Sequence, residues 1–208
     1  MYKRLAILMV ISFTILAFSA CDTEKPGITK DLTSANSADT KAMTGSTIEE
    51  QFSELGIKPI KGNKSVLAYT LLDLDGKEVS LKQYTGKTVL MNFWFISCPF
   101  CKNEKKELEK LKAKMEGKDF IILAVSVDKA YQVGGVEAYK KVNKMTVTVL
   151  HDPTSKVANS LGLGSVPTSY IIDKNGTLLG EAAQDRRWGE EGYVKLFKQL
   201  TQQKVAMK

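Results

Sequence analysis

The chain has 208 residues, of which 43% are hydrophobic and 25% are charged, and this composition is typical of one globular domain. It excludes a fibrous protein, a wholly disordered chain and a membrane protein with many spans. Thirty Lys and Arg residues against 23 Asp and Glu give a formal net charge of +7, which is too small to indicate nucleic-acid binding.

The first 20 residues have the pattern of an export signal. A basic pair, Lys3 and Arg4, precedes an apolar run over residues 5–18, and two small residues come directly before Cys21. The run is shorter than the roughly 20 residues that a spanning helix needs. Because the five residues ending at Cys21 resemble a bacterial lipobox, we expect residues 1–20 to be removed and Cys21 to carry the lipid anchor. An ordinary signal peptide and an uncleaved anchor are the alternatives, and all three place the domain outside the cytoplasm.

A flexible tether is predicted over residues 21–46. This segment is rich in Ser, Thr, Asp, Asn, Lys, Ala and Gly and has scarcely a large apolar residue, so it cannot bury enough surface to fold. A linker of this composition would hold a domain near the membrane in many orientations. Residues 47–62 are predicted to form a short helical lead-in, with a helix over Thr47 to Leu55, and residues 63–204 to form the folded domain.

The folded part begins with a predicted hairpin. Val66 to Leu72 is a strand candidate, and Asp75-Gly76 is a strong turn signal before a second strand over Lys77 to Leu81. This hairpin precedes the first long apolar segment of the domain.

Two unbroken apolar runs, Val89 to Phe95 and Phe120 to Val127, predict strands that are buried on both faces. Such runs are typical of parallel strands covered by helices. Pro99 to Glu116, which lies between them and is rich in Lys, Glu and Leu, predicts a helix, so we expect a right-handed crossover.

The rest of the chain continues this alternation. The predicted elements are a helix over Gly135 to Lys144, a strand over Thr146 to Leu150, a helix over Ser155 to Leu161, a hairpin of Ser169 to Asp173 with Thr177 to Glu181, and a closing helix over Gly189 to Gln202. Together the elements predict an α/β fold with a central mixed β-sheet flanked by helices.

The segment Cys98-Pro99-Phe100-Cys101 lies where a predicted buried strand ends and a helix begins. Ligand chemistry in such sheets tends to occur at the carboxyl ends of strands. A thiol there meets the positive end of the helix dipole and unpaired N–H groups, which favour the thiolate. We therefore expect Cys98, at the exposed end, to be the attacking nucleophile. Cys101, one turn further along, would attack the resulting mixed disulfide and release the product.

Two other interpretations of the cysteine pair are weaker. A structural zinc site needs four ligands, usually Cys and His, whereas this chain has three cysteines, with Cys21 assigned to the lipid, and a single histidine, His151. A structural disulfide that closes so short a loop would remove little chain entropy. Redox chemistry is therefore favoured, and we expect neither a metal nor a cofactor.

A carboxyl group is predicted beside the cysteine pair. Five residues of the predicted helix recur at spacings of 3, 4, 3 and 4 and share one face, which its apolar members make the buried face. They are Cys101, Glu104, Leu108, Leu111 and Met115. Glu104 would then have a raised pKa and could exchange protons with the cysteines. The alternative is a solvated Glu104 paired with Lys105 or Lys106.

The same helix carries six lysines that alternate with glutamates, and we expect them to form a solvated face. They are Lys102, Lys105, Lys106, Lys110, Lys112 and Lys114. At the modest net charge of this chain, the lysines do not by themselves predict an acidic partner.

With these residues placed, the chain resembles the TlpA/ResA branch of membrane-tethered thioredoxin-like thiol:disulfide oxidoreductases, in the AhpC/TSA–Redoxin superfamily. The similar segments are residues 71–81, 86–95, 98–104, 152–153, 161–162 and 166–173. The resemblance implies a thioredoxin-like fold with an N-terminal hairpin and an inserted helix and strand over about Lys129 to Leu150. Trp188 resembles an aromatic residue that precedes the last helix of this branch.

The resemblance also implies a substrate site. By this likeness Pro167 is a cis-proline that faces the cysteine pair, and the backbone of Val166 pairs with an extended substrate segment. Pro99 and Phe100, between the cysteines, differ from the usual pair of this branch and are expected to border the substrate. The implied activity is reduction of protein disulfides, for example those of cytochrome c apoproteins, with a membrane electron donor of the thioredoxin-reducing type.

Three other activities are alternatives to a reductase. An oxidant would use the same residues, although no histidine lies between the cysteines to stabilise a thiolate. A copper-binding or copper-delivering module would need Cys98, Cys101 and His151 as ligands. A peroxidase is disfavoured, because the residues ahead of Cys98 lack the Pro and Thr that frame the reactive cysteine of peroxiredoxins.

Overall fold

The computed structural model describes residues 47–203. The helices of this part are α1 (Ile48–Glu54), α2 (Pro99–Lys114), α3 (Val133–Val142), α4 (Lys156–Leu161) and α5 (Glu191–Gln202). The strands are β1 (Lys58–Pro59), β2 (Thr70–Leu72), β3 (Glu78–Ser80), β4 (Thr88–Trp94), β5 (Phe120–Ser126), β6 (Thr148–His151), β7 (Thr168–Ile172) and β8 (Leu178–Ala183). The predicted signal segment, Cys21 and the tether lie outside the described residues. Within residues 47–203, no helix has the length and apolar character needed to cross a membrane.

The eight strands of the described residues form one mixed sheet in the order β1-β8-β7-β4-β5-β6-β2-β3. β4, β5 and β6 run parallel to one another. The neighbours on either side of this parallel core are antiparallel, with β7 beside β4 and β2 beside β6. This arrangement confirms the predicted α/β fold with a central mixed sheet and an antiparallel edge.

The two long central strands are buried because apolar groups cover both faces of the sheet. All seven residues of β4 are buried. Leu90 and Trp94 belong to a core that includes residues of α2 and α5, whereas Met91 and Phe93 belong to a core that includes residues of α4. Alternate side chains of a strand point to opposite faces, so an unbroken apolar run fills two cores at once.

The polar connections are formed by local signals. The Thr47 side chain accepts the N–H of Glu50, and the Glu50 carboxylate accepts the N–H of Thr47, so a capping box starts α1. Gly56 follows the helix at φ +62° and Gly76 turns the β2–β3 hairpin at φ +81°, a region that favours glycine. The predicted helix and hairpin are both confirmed.

Two predicted strands are shorter than expected. Val66 accepts the backbone N–H of Tyr69, so the chain turns there and only Thr70–Leu72 is extended. Val66 is buried in the core although it lies outside the strand, so its apolar side chain reflects burial and does not indicate a strand. The strand predicted from Thr146 begins at Thr148, because the carboxylate of Glu109 takes the backbone N–H groups of Thr146 and Val147.

Candidate active site

The cysteine pair lies at the start of α2, just beyond the carboxyl end of β4. Cys98 is the N-cap residue and Pro99 occupies the first helical position, where its missing N–H costs nothing. Cys98 and Cys101 are joined by a disulfide with their Cα atoms 5.3 Å apart. The Cys101 N–H also donates to Cys98 Sγ at 3.1 Å. This N–H and the helix dipole would both stabilise negative charge on Cys98 Sγ after reduction.

Access to the pair differs from the sequence expectation. Cys98 was predicted to be exposed, but in this disulfide form only 4% of its surface is exposed, compared with 0% for Cys101. Cys98 nevertheless lies between exposed neighbours, Ser97 and Pro99. Phe100, which is 62% exposed, is one of the large apolar side chains that the described surface leaves uncovered.

A groove that the sequence analysis missed runs beside this loop. It has a volume of about 480 Å³, and α3 forms one of its walls. Ser97 and Lys102 line it on the cysteine side, and Tyr139 and Val142 line it on the other. The exposed side chains of Val142 and Phe100 give this end of the molecule apolar character.

Glu104 lies on the same helix as Cys101 and is buried, with only 1% of its surface exposed, as the spacing of the apolar stripe predicts. Its Oε1 accepts the indole N–H of Trp188 at 2.6 Å and the backbone N–H of Arg186 at 3.2 Å. Its Oε2 accepts the side-chain N–H of Asn92 at 2.8 Å. Cys101 lies three residues earlier on the same helix, and residues at this spacing are neighbours on a helix surface.

Burial raises the pKa of the Glu104 carboxyl above its ordinary value. The charge of Lys105 and the hydrogen bonds from Trp188, Asn92 and Arg186 oppose this rise without cancelling it. A buried carboxyl group with a raised pKa is better suited to take up a proton than a solvated glutamate. The solvated alternative for Glu104 is therefore wrong.

The expected solvated face of α2 is correct for five lysines and wrong for one. Lys102, Lys106, Lys110, Lys112 and Lys114 are exposed. Lys105 is only 3% exposed. Its Nζ donates to Asn92 Oδ1 and lies 4.6 Å from the centre of the Trp94 ring. An amide acceptor and an aromatic face on β4 allow this ammonium to be buried.

Asn92 is a residue of the site that the sequence analysis missed. It is a polar residue in the middle of a fully buried strand, and that position is the signal that could have identified it. Its Nδ2 donates to both Glu104 Oε2 and Ser169 Oγ, the latter at 2.9 Å. Asn92 therefore connects the helix that carries the cysteines with β7.

The Val166–Pro167 peptide bond is cis, as the family resemblance implies. Pro167 is buried and directly precedes β7, whose Thr168 pairs with Phe93 near the carboxyl end of β4. Because β7 is antiparallel to β4, this proline lies at the same end of the sheet as the cysteines. Val166 is half-buried and packs against the core that contains both cysteines.

His151 is not brought together with the cysteines. It is buried at the end of β6, where its Nε2 lies 2.7 Å from the carbonyl oxygen of Asp128. Among residues 47–203, no three His, Cys, Asp or Glu side chains form a group that could hold a metal ion. The geometry thus gives no support to the copper-binding alternative.

Two further contacts hold the surroundings of the site in place. The Asp128 carboxylate accepts the backbone N–H of Ile96, in the loop before Cys98, at 3.0 Å. The guanidinium group of Arg186 donates to the carbonyl oxygens of Leu55 and Gly56 at the end of α1.

Comparisons with known proteins agree with this geometry. The AhpC/TSA family matches residues 63–180. Thiol-disulfide oxidoreductase ResA of Bacillus thuringiensis (strain Al Hakam) is 31% identical over 133 residues, which are 61% of this chain and 73% of that protein.

Solved structures share the fold. A crystal structure from Chlorobium tepidum, described as a thiol:disulfide interchange protein DsbE, has a TM-score of 0.61 at 24% identity and covers 68% of this chain and 99% of its own. A solution structure from Neisseria meningitidis, described as a thioredoxin, has a TM-score of 0.55 at 33% identity and covers 66% and 88% of the two chains. The predicted thioredoxin-like fold is confirmed.

Proposed function

Because the chain belongs to the AhpC/TSA family and, within it, to the ResA-like thiol-disulfide oxidoreductases, we propose that it reduces protein disulfides outside the cytoplasm through Cys98 and Cys101. The observation that carries this proposal is the position of the cysteine pair at the start of α2: Cys98 caps the helix, and a buried carboxyl group, Glu104, lies one turn after Cys101. The exposed Phe100 and the groove beside α3 offer a contact surface for a protein substrate.

In the proposed reaction, the Cys98 thiolate attacks one sulfur of a substrate disulfide. A Cys98–substrate mixed disulfide forms, and the first substrate thiolate leaves and takes a proton from solvent. Cys101 then gives its proton to Glu104 and attacks Cys98 Sγ. The Cys98–Cys101 disulfide forms, and the second substrate thiolate leaves and takes a proton. The substrate gains two electrons and two protons. The protein, which starts with Cys98 as a thiolate, loses two electrons and, once Glu104 releases it, the one proton of Cys101; the other proton comes from solvent.

The two cysteines have different proposed roles because their surroundings differ. The Cys101 N–H donates to Cys98 Sγ, which favours the Cys98 thiolate and the first attack. Cys101 is completely buried, so its thiol needs a nearby proton acceptor before it can attack. Glu104, one turn along the same helix, is that acceptor. Val166 and Pro167 border the same end of the sheet and are proposed to receive the substrate backbone.

The proposed location rests on the sequence. The basic pair, the apolar run and Cys21 support export and a lipid anchor, and an exported reductase needs electrons from a membrane donor of the thioredoxin-reducing type. Cytochrome c apoproteins are the proposed substrate class. Labelling cells with palmitate tests the anchor: the wild-type protein should carry label, and Cys21→Ala should carry none. Labelled Cys21→Ala would rule out this anchor.

Trapping the mixed disulfide tests the reaction. Cys101→Ser should accumulate a covalent complex with a disulfide-bonded substrate, and dithiothreitol should release it, because the resolving thiol is missing. Cys98→Ser is the matched control and should form no complex. Equally fast reduction of insulin or apocytochrome disulfides by Cys98→Ser and by the wild type would contradict the proposal.

Equilibration with glutathione buffers distinguishes a reductant from an oxidant. The cysteine pair of a reductant stays largely disulfide-bonded at potentials that reduce the pair of an oxidant.

A further inference from the structure

Lys105 is a buried cation that the reaction described above does not use. It follows Glu104 on α2, and its Nζ donates to Asn92 Oδ1. The other end of the same amide donates to Glu104 Oε2 at 2.8 Å. The Asn92 side chain therefore bridges a buried ammonium and a buried carboxylate. Lys105 is also four residues after Cys101, so it is a neighbour of that cysteine on the helix surface.

The bridge fixes the orientation of each partner. Asn92 Nδ2 also donates to Ser169 Oγ at 2.9 Å, so its N–H side is directed toward acceptors and its oxygen toward Lys105. This orientation requires a donor at position 105 and an acceptor at position 104. The arrangement matches a protonated Lys105 with an ionised Glu104, a buried pair without net charge.

We propose that Lys105 is a positioning residue for proton transfer: through Asn92, its ammonium group keeps Glu104 ionised and oriented to accept the proton of Cys101. This inference rests on the proposed function, in which Glu104 is the proton acceptor. When Glu104 takes the proton, Lys105 loses its counter-charge, and the unpaired ammonium group then favours release of the proton from Glu104. Without Lys105, burial favours a neutral Glu104, which cannot accept a proton.

The surroundings of Lys105 fit this role. Burial lowers the pKa of Lys105 from 10.5 to about 7, and the negative charge of Glu104 opposes the decrease. The groups that face Lys105 from β4, Asn92 and Trp94, carry no charge. Tyr139 of α3 packs against Trp94 with its ring tilted, and burial raises the pKa of Tyr139, so it is neutral as well. Among the described residues, Glu104 is thus the charged partner of Lys105.

The test measures the two thiol reactions separately. When the reduced protein reacts with 5,5′-dithiobis(2-nitrobenzoate), the first thionitrobenzoate released reports the attack by Cys98. The second reports resolution by Cys101. In Lys105→Met, the midpoint of the second phase should move up by about one pH unit, which slows resolution about tenfold below the midpoint. The first phase should change much less.

Lys106→Met is the matched control, because it removes one exposed positive charge from the next position of the same helix. Solvent and salt screen such a charge, so the pH dependence of the second phase in Lys106→Met should follow that of the wild type. Equal profiles for Lys105→Met and Lys106→Met would overturn the proposal. It would also be overturned if Lys105→Met shifted the second phase in a Glu104→Gln background as much as in the wild type.

A second measurement leaves Lys105 in place and therefore does not depend on the folding of Lys105→Met. Nitrogen-15 NMR of the lysine side chains should show Lys105 titrating near neutral pH in the wild type and at lower pH in Glu104→Gln, where the counter-charge is absent. An unchanged Lys105 titration in Glu104→Gln would overturn the proposal. Failure of the proposed function looks different, because then Cys98→Ser would release its single thionitrobenzoate equivalent, from Cys101, as fast as the wild type releases its first.

Discussion

The indole N–H of Trp188 lies 2.6 Å from Glu104 Oε1, and both side chains are buried. Trp188→Phe keeps an aromatic ring in the core but removes this donor. The other donors to Glu104, from Asn92 and the backbone of Arg186, stay in place. The carboxylate would lose one of its three hydrogen bonds, whereas the protonated acid needs fewer of them. The substitution should therefore raise the pKa of Glu104 beyond its present, already raised value.

The size of the effect follows from the charge of the acceptor. A hydrogen bond to a charged group stabilises it by about 1.5–3 kcal/mol. One pKa unit corresponds to about 1.4 kcal/mol, so the pKa of Glu104 should rise by about one to two units. The midpoint of the Cys101 resolution step should rise by the same amount.

Stability gives a second readout whose sign is fixed. An acid with a folded pKa above its unfolded value of about 4.3 loses stability as the pH rises from that value through the folded pKa. Because Trp188→Phe raises the folded pKa further, the variant should lose more stability over this window than the wild type. The difference between them should be smallest near pH 4, where only the lost packing contributes, and should grow toward neutral pH.

Urea unfolding at several pH values and carbon-13 NMR of the glutamate carboxyl groups measure these two quantities. Tyr193→Phe is the control, because Tyr193 packs against Trp188 but its hydroxyl group contacts the carbonyl oxygen of Leu55 and not Glu104. A stability loss in Trp188→Phe that is the same at pH 4 and pH 7, with an unchanged Glu104 titration, would refute the reasoning.

Three further predictions concern other parts of the site. Lys105 has a folded pKa lowered to about 7, so its destabilising effect is full below pH 7 and is lost as the pH rises to 10.5. The free energy of unfolding of the wild type, measured in urea, should therefore rise relative to that of Lys105→Met between pH 7 and 10.5. A difference between the two proteins that stays constant over this window would contradict the prediction. Asp128→Ala should cost about 1–3 kcal/mol in urea unfolding, because it leaves the Ile96 N–H without its acceptor; Asp128→Asn, which keeps an acceptor, should cost less, and equal costs would rule out this explanation. Phe100 is exposed, so Phe100→Ser should change the free energy of unfolding by less than about 0.5 kcal/mol. The substitution should raise the KM for a protein disulfide and leave the rate of reaction with 5,5′-dithiobis(2-nitrobenzoate) unchanged. An unchanged KM would remove Phe100 from the substrate surface.

The sequence predicts those features of the fold and site that depend on short-range patterns. The apolar runs around Leu90 and Leu123 predict two buried parallel strands, which the structure confirms. The spacing from Cys101 to Met115 correctly places Glu104 on the buried face of α2. In both cases periodicity decides the outcome, because a side chain that points into the core follows from its position in the helix or strand.

The missed features depend on contacts between distant segments. Periodicity puts Lys105 beside a polar neighbour and gives no reason to bury it. Only the crossing of α2 over β4 reveals the acceptor on Asn92 and the face of Trp94. The groove beside Ser97 likewise exists because α3 lies across from the cysteine loop, and the position of α3 is a tertiary property. The lipid anchor at Cys21 and the predicted division into signal, tether and domain stay predictions.

The double role of Arg186 affects how this enzyme can be shortened. The family match covers residues 63–180. Arg186 lies beyond it, yet its backbone N–H donates to Glu104 and its guanidinium group donates to the carbonyl oxygen of Leu55 at the end of α1. A fragment that starts at residue 63 would keep both sulfurs and discard the carbonyl groups that this arginine holds. Its reactive thiols would work with an acid of altered strength, so rate constants measured on such a fragment would describe a different catalyst.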